Sequence, residues 1–310
     1  MILTVTANPS IDRTITLDGP LVAGAVHRPT GVLDQPGGKG VNVARVVQAA
    51  GFDTLALVPA AAGDTFLAHL DHAHLPHVAV ATAGTVRTNL TIVDPDGVTT
   101  KINTPGADVD AETLTAAVVE RAGAATWLAL CGSLPPGLPD TWYADLVARV
   151  RQAGVRVAVD TSGAPLTHVT SAGPHLMKPN SEELAELTGA DPSALEAAAG
   201  AGDPSAAAAA SLELAASTGG AVLTTLGGSG AVLAVDGKAW FATAPRIRVR
   251  STVGAGDSSL AGYLIAEVRG DDPARRLANA VAYGSAAAAL PGTTPPTPDM
   301  LDDSVSVTPL

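Results

Sequence analysis

Apolar runs of strand length alternate with stretches of helical spacing along most of this 310-residue chain. Residues 2–6 alternate apolar side chains with Thr and predict a first strand, which Asn8-Pro9-Ser10 stops. Val41, Ala44 and Val47 recur at helical spacing, so a helix opens at Pro36-Gly37-Gly38-Lys39-Gly40 and ends near Gly51. Residues 55–58 predict a further strand, and a short helix follows. Beyond residue 104 the rhythm is regular: Asp110 caps a helix to about Gly123, residues 127–131 form a strand, Asp140 caps a helix ending near Gly154, and residues 155–159 form the next strand. HLMK at 175–178 and the run 221–226 read as strands. Residues 191–217 are Ala-rich and broken by Gly200-Ala201-Gly202-Asp203-Pro204, hence two helices around a loop. A last Ala-rich helix spans 272–290, and the Pro- and Asp-containing tail is expected to be loosely held. Strand and helix in alternation predict an α/β fold.

Two stretches break the rhythm. Residues 13–35 look like short strands and turns, ITL and then AVHRPT, and residues 86–103 alternate strongly around Asp94-Pro95-Asp96-Gly97, which fits a β-turn. Together they predict a small β-sheet beside the main one. The expected division is an α/β core of 1–11, 37–85 and 104–310 and a β-sheet lid of 12–36 and 86–103. A lid over a reacting site would exclude water.

Composition sharpens this picture. Hydrophobic residues make up 46% and aromatics only 3%, so Val, Leu, Ile and Ala must fill the core, as parallel strands buried under Ala-rich helices require. A net charge of −12 argues against nucleic acid or an anionic membrane as partner and leaves any anionic ligand to local Lys and Arg. The single Cys131 excludes an intramolecular disulfide and suits a reducing cytoplasm. No signal-peptide pattern opens the chain, and no apolar run approaches the roughly 18 residues of a membrane span. A soluble cytoplasmic protein is expected.

The stretch 251–264, STVGAGDSSLAGYL, carries the strongest chemistry. A helix opening at Gly254-Ala255-Gly256 leaves first-turn N–H groups free to close on an anion, with Asp257 beside them to take a proton. An ordinary glycine-lined helix start with an acidic first turn reads equally well. At the earlier glycine motif Gly38 lets a substrate approach the backbone and Lys39 adds a charge; the Gly after Lys39 departs from a Walker P-loop. Asp12, past a strand end, either holds sugar hydroxyls or stabilises a turn. Arg87 and Asn89 share one strand face, and Arg87 suits bidentate phosphate recognition or a solvated edge. Asn180 and Glu183 have capping-box spacing, and the same oxygens suit Mg²⁺ held mostly through water. Gly227-Gly228-Ser229-Gly230 is either a receptacle for adenine or a tight turn. His69, His72, His74 and His77 cluster, yet Pro76 breaks their register and no H-E-x-x-H pattern is present, so a surface helix end is expected there rather than a metal.

PGGKGVNVARV early and STVGAGDSSLAGYL late, with NPSIDRT, TVRTNLTI, GSLPPG, DTSG, KPNSEEL and TTLGGSGA in order around them, resemble the signatures of the PfkB (ribokinase-like) carbohydrate kinases along essentially the whole chain. NPSID, GGKGVNVA, R-T-N and GSLPPG together are similar to the branch that acts on hexose phosphates. The resemblance implies a three-layer α/β/α sandwich with a mainly parallel sheet and a β-sheet lid that often pairs two copies into a homodimer. ATP as donor, Mg²⁺ as cofactor and a phosphorylated ketohexose as acceptor come with it; fructose 1-phosphate is the expected acceptor at its 6-hydroxyl, with tagatose 6-phosphate or fructose 6-phosphate as alternatives. By motif, Asp257 is the base and Gly254, Ala255 and Gly256 the anion hole. Asp12, Gly38, Lys39, Asn42 and Asn89 hold the sugar, and Arg87 and Lys39 its phosphate. Asn180 and Glu183 support Mg²⁺, while Lys178, Asn180, Thr225, Gly227, Gly230 and Asn279 border the nucleotide. Two positions depart from the pattern: Cys131 stands before Gly132 where relatives often carry Ser, and Ser258-Ser259 replaces a bulkier residue, which predicts looser packing in that first turn.

Overall fold

In the computed structural model, which describes residues 1–310, apolar strands stack into one large sheet whose carboxyl ends converge on a single edge. The strands are β1 (Ile2–Thr6), β2 (Ser10–Thr16), β3 (Gly31–Gly37), β4 (Thr54–Pro59), β5 (His77–Val80), β6 (Arg87–Val93) and β7 (Thr99–Ile102). They continue as β8 (Trp127–Cys131), β9 (Arg156–Asp160), β10 (Leu176–Met177), β11 (Ala221–Thr225), β12 (Ala231–Val235), β13 (Lys238–Ala242) and β14 (Val307–Pro309). The helices are α1 (Lys39–Ala49), α2 (Thr65–His72), α3 (Ala111–Ala122), α4 (Trp142–Arg151) and α5 (Ala164–Thr170). After them come α6 (Ser181–Thr188), α7 (Pro192–Gly200), α8 (Ser205–Thr218), α9 (Ala255–Val268) and α10 (Pro273–Ala288).

The ten-stranded sheet has the order β14-β13-β12-β11-β10-β9-β8-β1-β4-β5, parallel from β11 to β5 and antiparallel at the other end. Helices cover both faces, as an all-parallel region requires. Val43, Val46 and Val47 of α1 join Leu260, Leu264, Leu277 and Val281 of α9 and α10 on one face. Leu114, Val118, Leu146 and Leu166 of α3, α4 and α5 pack on the other. The three layers follow the expected α/β/α plan.

A separate four-stranded sheet, β3-β2-β6-β7, is built from the two irregular stretches. Its hairpin turns at Asp94, whose side chain accepts from the N–H groups of Asp96 and Val98 and leaves Gly97 at φ +82. Of the two runs in the first stretch, ITL ends β2, whereas AVHRPT is turn and coil and leads into β3 over Gly31–Gly37.

Other departures have local causes. Thr141, not Asp140, occupies the cap of α4, and its hydroxyl donates to Asp145. β5 follows the histidine helix directly, with His77 as its first residue and Pro76 supplying a carbonyl to Ala56. The tail is not loose: β14 pairs antiparallel with β13 and closes that edge of the sheet. Packing around Ser259 is tight rather than loose, because its hydroxyl fills the place a side chain on Gly284 of α10 would need. Gly262 lies against Asn279 O and Tyr283, so the two helices meet almost backbone to backbone.

On the sheet's amino-terminal side, Glu267 in the last turn of α9 is buried, accepts from Trp127 Nε1 at 2.5 Å and pairs with Arg156, which also lies 4.3 Å over the Trp127 ring. No helix is long and apolar enough to cross a membrane.

Candidate active site

The carboxyl ends of β1, β8, β9 and β10 meet the amino-terminal ends of α1 and α9, the place where open α/β sheets bind ligands. Gly254 caps α9 at φ +80, a left-handed conformation that glycine adopts without strain, and turns the chain into the helix. Ser258 N–H already donates to Gly254 O, whereas the N–H groups of Gly256 and Asp257 donate to no protein atom. An anion hole at this helix start therefore has open donors.

Asp257 lies in that first turn, 6% exposed, and its Oδ2 accepts from Asn42 Nδ2 at 2.8 Å. Burial, and then the nearby Asp160 carboxylate, push its pKa up to about 6; Lys39, Asn42 and Lys178 pull the other way without prevailing. A carboxylate with that pKa both ionises and accepts a proton near neutrality, as a general base must.

Lys39 is not a free cation. It begins α1, and its Nζ lies 2.6 Å from Asp160 Oδ1. Burial would lower its pKa, but Asp160, Asp257 and Glu183 raise it well above the ordinary lysine value. Lys178, 4% exposed, reaches Asp160 Oδ2 at 3.1 Å. A Cβ on Gly256 would stand 3.4 Å from Lys178 Nζ, which puts that ammonium group under the helix start. Asp160 itself is wholly buried; burial alone would raise its pKa, and Lys178 and Lys39 hold it below the usual carboxylate range.

The small sheet delivers the opposite side. Asp12 on β2 accepts from Ser10 Oγ at 2.8 Å and Asn89 Nδ2 at 3.2 Å, a pairing set by the parallel register of β2 and β6. Arg87 donates to Thr104 O at 2.9 Å and Asn8 O at 3.4 Å, which orients its guanidinium while Nε stays without a partner. Burial lowers its pKa, partly offset by Asp12, and the group stays charged. Gly38, at φ +100, packs against Thr6 and Pro9, so the glycine motif also brings α1 onto the end of β1. Asn42 Oδ1, Asn89 Oδ1 and Thr6 Oγ1 are buried without protein partners, acceptors of the kind a polyol satisfies.

On the remaining side, Asn180 and Glu183 form the complete capping box: Asn180 Oδ1 accepts from Glu183 N at 2.7 Å and Glu183 Oε2 from Asn180 N at 2.9 Å. Burial raises the Glu183 pKa. Thr225 bridges to Asn180 through the backbone at the end of β11, and Gly227 starts the turn beyond it. Gly230 is required for fold as well, because a side chain there would strike Ala242 O of β13. Asn279 donates to Gly262 O at 2.6 Å, which commits its amide to the contact of α9 with α10.

Sequence reasoning passes over Asp160, Ser10 and Asn8. The signal for Asp160 is in the chain: VRVAVD is an apolar strand that ends on an acid at the sheet's carboxyl edge. Nothing in the sequence pairs that acid with lysines 121 residues upstream and 18 downstream.

Residues 5–300 match the model of the pfkB family carbohydrate kinases. The chain belongs to this family. A 1-phosphofructokinase of Rhodobacter capsulatus is 37% identical over 95% of this chain and 93% of its own length. A second 1-phosphofructokinase, from Xanthomonas campestris pv. campestris, is 37% identical over 85% and 83%. Among solved structures, phosphofructokinase-2 from Escherichia coli in complex with substrates and products superposes with a TM-score of 0.87 at 28% identity, covering 96% of both chains. In this pfkB member, the two glycine motifs thus lie at one sheet edge, with Asp257 in the first turn of the helix that the second one opens.

Proposed function

We propose that this chain is an ATP-dependent hexose-phosphate kinase that phosphorylates D-fructose 1-phosphate at its 6-hydroxyl, giving fructose 1,6-bisphosphate and ADP. The observation that carries the reading is Asp257: a buried carboxylate with its pKa near 6, in the same helical turn as the unpartnered N–H groups of Gly256 and itself. The two curated relatives named above favour fructose 1-phosphate over the other ketohexose phosphates. In a chain of net charge −12, Arg87 near Asp12 and Lys39 at the start of α1 suit an acceptor that already carries a phosphate.

Asp12, Asn42 and Asn89 orient the sugar through its hydroxyls, and Arg87 holds its phosphate. Asp257 takes the proton of the 6-hydroxyl as that oxygen bonds to the γ-phosphorus of ATP. The bond from γ-phosphorus to the β,γ-bridging oxygen breaks and the electron pair leaves with ADP. The N–H groups of Gly256 and Asp257 stabilise the charge on the moving phosphoryl, and Lys178 lies beneath them. Thr225 and Gly227 border the nucleotide.

Magnesium fits a limited donor set. The capping box already uses Asn180 Oδ1 and Glu183 Oε2, and no group of three or more His, Cys, Asp or Glu side chains converges elsewhere. Magnesium retains several waters and binds chiefly through substrate phosphates, which Asn180 and Glu183 would support from outside; bound there, it neutralises phosphate charge.

The four-stranded sheet is the lid in this reading, closing over the sugar and excluding water. Val32, Leu33 and Ile102 on that sheet are exposed, which suits pairing with a second copy. ATP as donor suits a reaction in the cytoplasm.

The test is turnover on a panel of fructose 1-phosphate, fructose 6-phosphate, tagatose 6-phosphate, ribose and adenosine with ATP. The highest kcat/KM is expected for fructose 1-phosphate. Preference for ribose or adenosine would overturn the phosphate-binding role of Arg87 and Lys39.

A further inference from the structure

Between the sugar side and the nucleotide side of the site lies one carboxylate that touches neither. Asp160 ends β9, is wholly buried, and meets two ammonium groups from different elements: Lys39 at the start of α1, 2.6 Å from Oδ1, and Lys178 just after β10, 3.1 Å from Oδ2. Oδ2 makes no aligned hydrogen bond and depends on the ion pair with Lys178, while Lys39 compensates the rest of the carboxylate. A buried acid in this state persists only while both cations remain in place. The converse matters for catalysis. Lysine is a flexible four-carbon chain with a strongly hydrated head, and an unpaired one would swing toward water or close on Asp257. Lys39 already feels Asp257 as an attractive neighbour second only to Asp160.

We infer that Asp160 is a positioning residue that holds Lys39 toward the acceptor and Lys178 toward the anion hole, and so keeps both ammonium groups from neutralising the Asp257 base. The inference rests on the kinase reading above for the direction of each lysine, but the clamp itself is independent of it. The groups facing Asp257 are Asn42 and Lys39 from α1, Asp160 from β9, Lys178 after β10 and the buried Cys131 thiol of β8, whose own pKa burial raises.

Asp160→Asn tests the role. The amide keeps the shape and removes the charge, so it can accept from at most one lysine while its NH₂ repels the other. A fall in kcat of at least about 100-fold is expected, within the range of lost electrostatic positioning. The acid limb of the pH profile, set by Asp257 near pH 6 in the parent enzyme, should move to lower pH because a like charge is gone and two cations remain. Loss of a bare like charge would move that limb without the fall in kcat, and a merely structural role would lower Tm without that fall.

A second measurement needs no turnover. The chain has four lysines, and Lys101 and Lys238 are exposed standards. Amine-reactive labelling read by mass spectrometry should modify Lys39 at least about tenfold faster in Asp160→Asn than in the parent, relative to those two, since loss of the ion pair lets the side chain swing toward water and brings its raised pKa back toward the ordinary lysine value. If Asp160→Asn does not fold, Asp160→Glu serves: it keeps the charge but displaces both ammonium groups, so kcat should fall and Lys39 labelling should rise. An unmoved limb with kcat/KM within threefold of the parent, or unchanged Lys39 labelling in folded Asp160→Asn, overturns the inference. Activity that excess Mg²⁺ restores, with the limb unmoved, overturns it as well. Failure of the parent on every phosphorylated acceptor would sink the kinase reading alone, and the labelling result would still decide the clamp.

Discussion

Asp257 must be ionised to take a proton, and burial together with Asp160 opposes that ionisation. Activity is accordingly expected to rise with pH through about 6, measured as kcat/KM against pH. Asp257→Asn should reduce kcat by about 10²–10⁴-fold with little change in either KM, the signature of a group acting at the chemical step. The same substitution has a calculable sign for stability. The folded-state pKa lies above the unfolded value of 3.8, so the native state binds the proton more tightly and ionisation costs stability as pH rises from about 4 through about 6. Asp257→Asn should raise Tm at pH 8 and raise it less at pH 5, where the parent carboxyl is largely protonated; equal shifts at both pH values would refute the assignment. At this scale the sequence announces Asp257 through the glycines that precede it. Asp160 is silent by comparison, because its meaning lies in two long-range ion pairs rather than in a local pattern.

Elements were legible where local chemistry decided them. Asp110 accepts from Thr113 N as its spacing requires, Asn180 and Glu183 complete their box, and the hairpin turns at its Asp and Gly. β5 and β14 were not, since four residues beside a proline and three residues near the end carry too little pattern to be told from coil. The contact of α9 with α10 was legible only in reverse. Ser259 looks like a loss of packing volume, yet with Gly262 and Gly284 it lets the helices approach more closely. Gly262→Ala adds helix propensity of about 1 kcal/mol. Its Cβ would stand 2.7 Å from Asn279 O and 2.9 Å from the Tyr283 ring, and backbone cannot yield cheaply. Overpacking costs of about 1–3 kcal/mol should prevail, seen as a lower urea midpoint with an unchanged m-value.

The whole molecule is two sheets with one site between an edge of the larger and the face of the smaller. The alternation of strands and helices foretold the first, and the break in that alternation foretold the second; the order of strands across the sheet is a matter of tertiary pairing that no local pattern carries. Far from the site, Arg156 compensates the buried Glu267, which otherwise has Trp127 Nε1 and a distant Arg276. Arg156→Ala should cost about 1–3 kcal/mol, the penalty of under-compensating a buried charge, measured by denaturant unfolding. No loss would mean that solvent reaches Glu267.

That ion pair also completes a frame. β9 starts at Arg156 and ends at Asp160, while α9 runs back beside it from Asp257 to Glu267, about 15 Å at the rise of a helix. One pair of opposite charges ties the helix to the strand at the far corner, and at the near one Asn42 of α1 holds Asp257. Sliding the helix by a single residue along the strand would unseat both contacts together, so the register of Asp257 is checked twice, once at each end of α9.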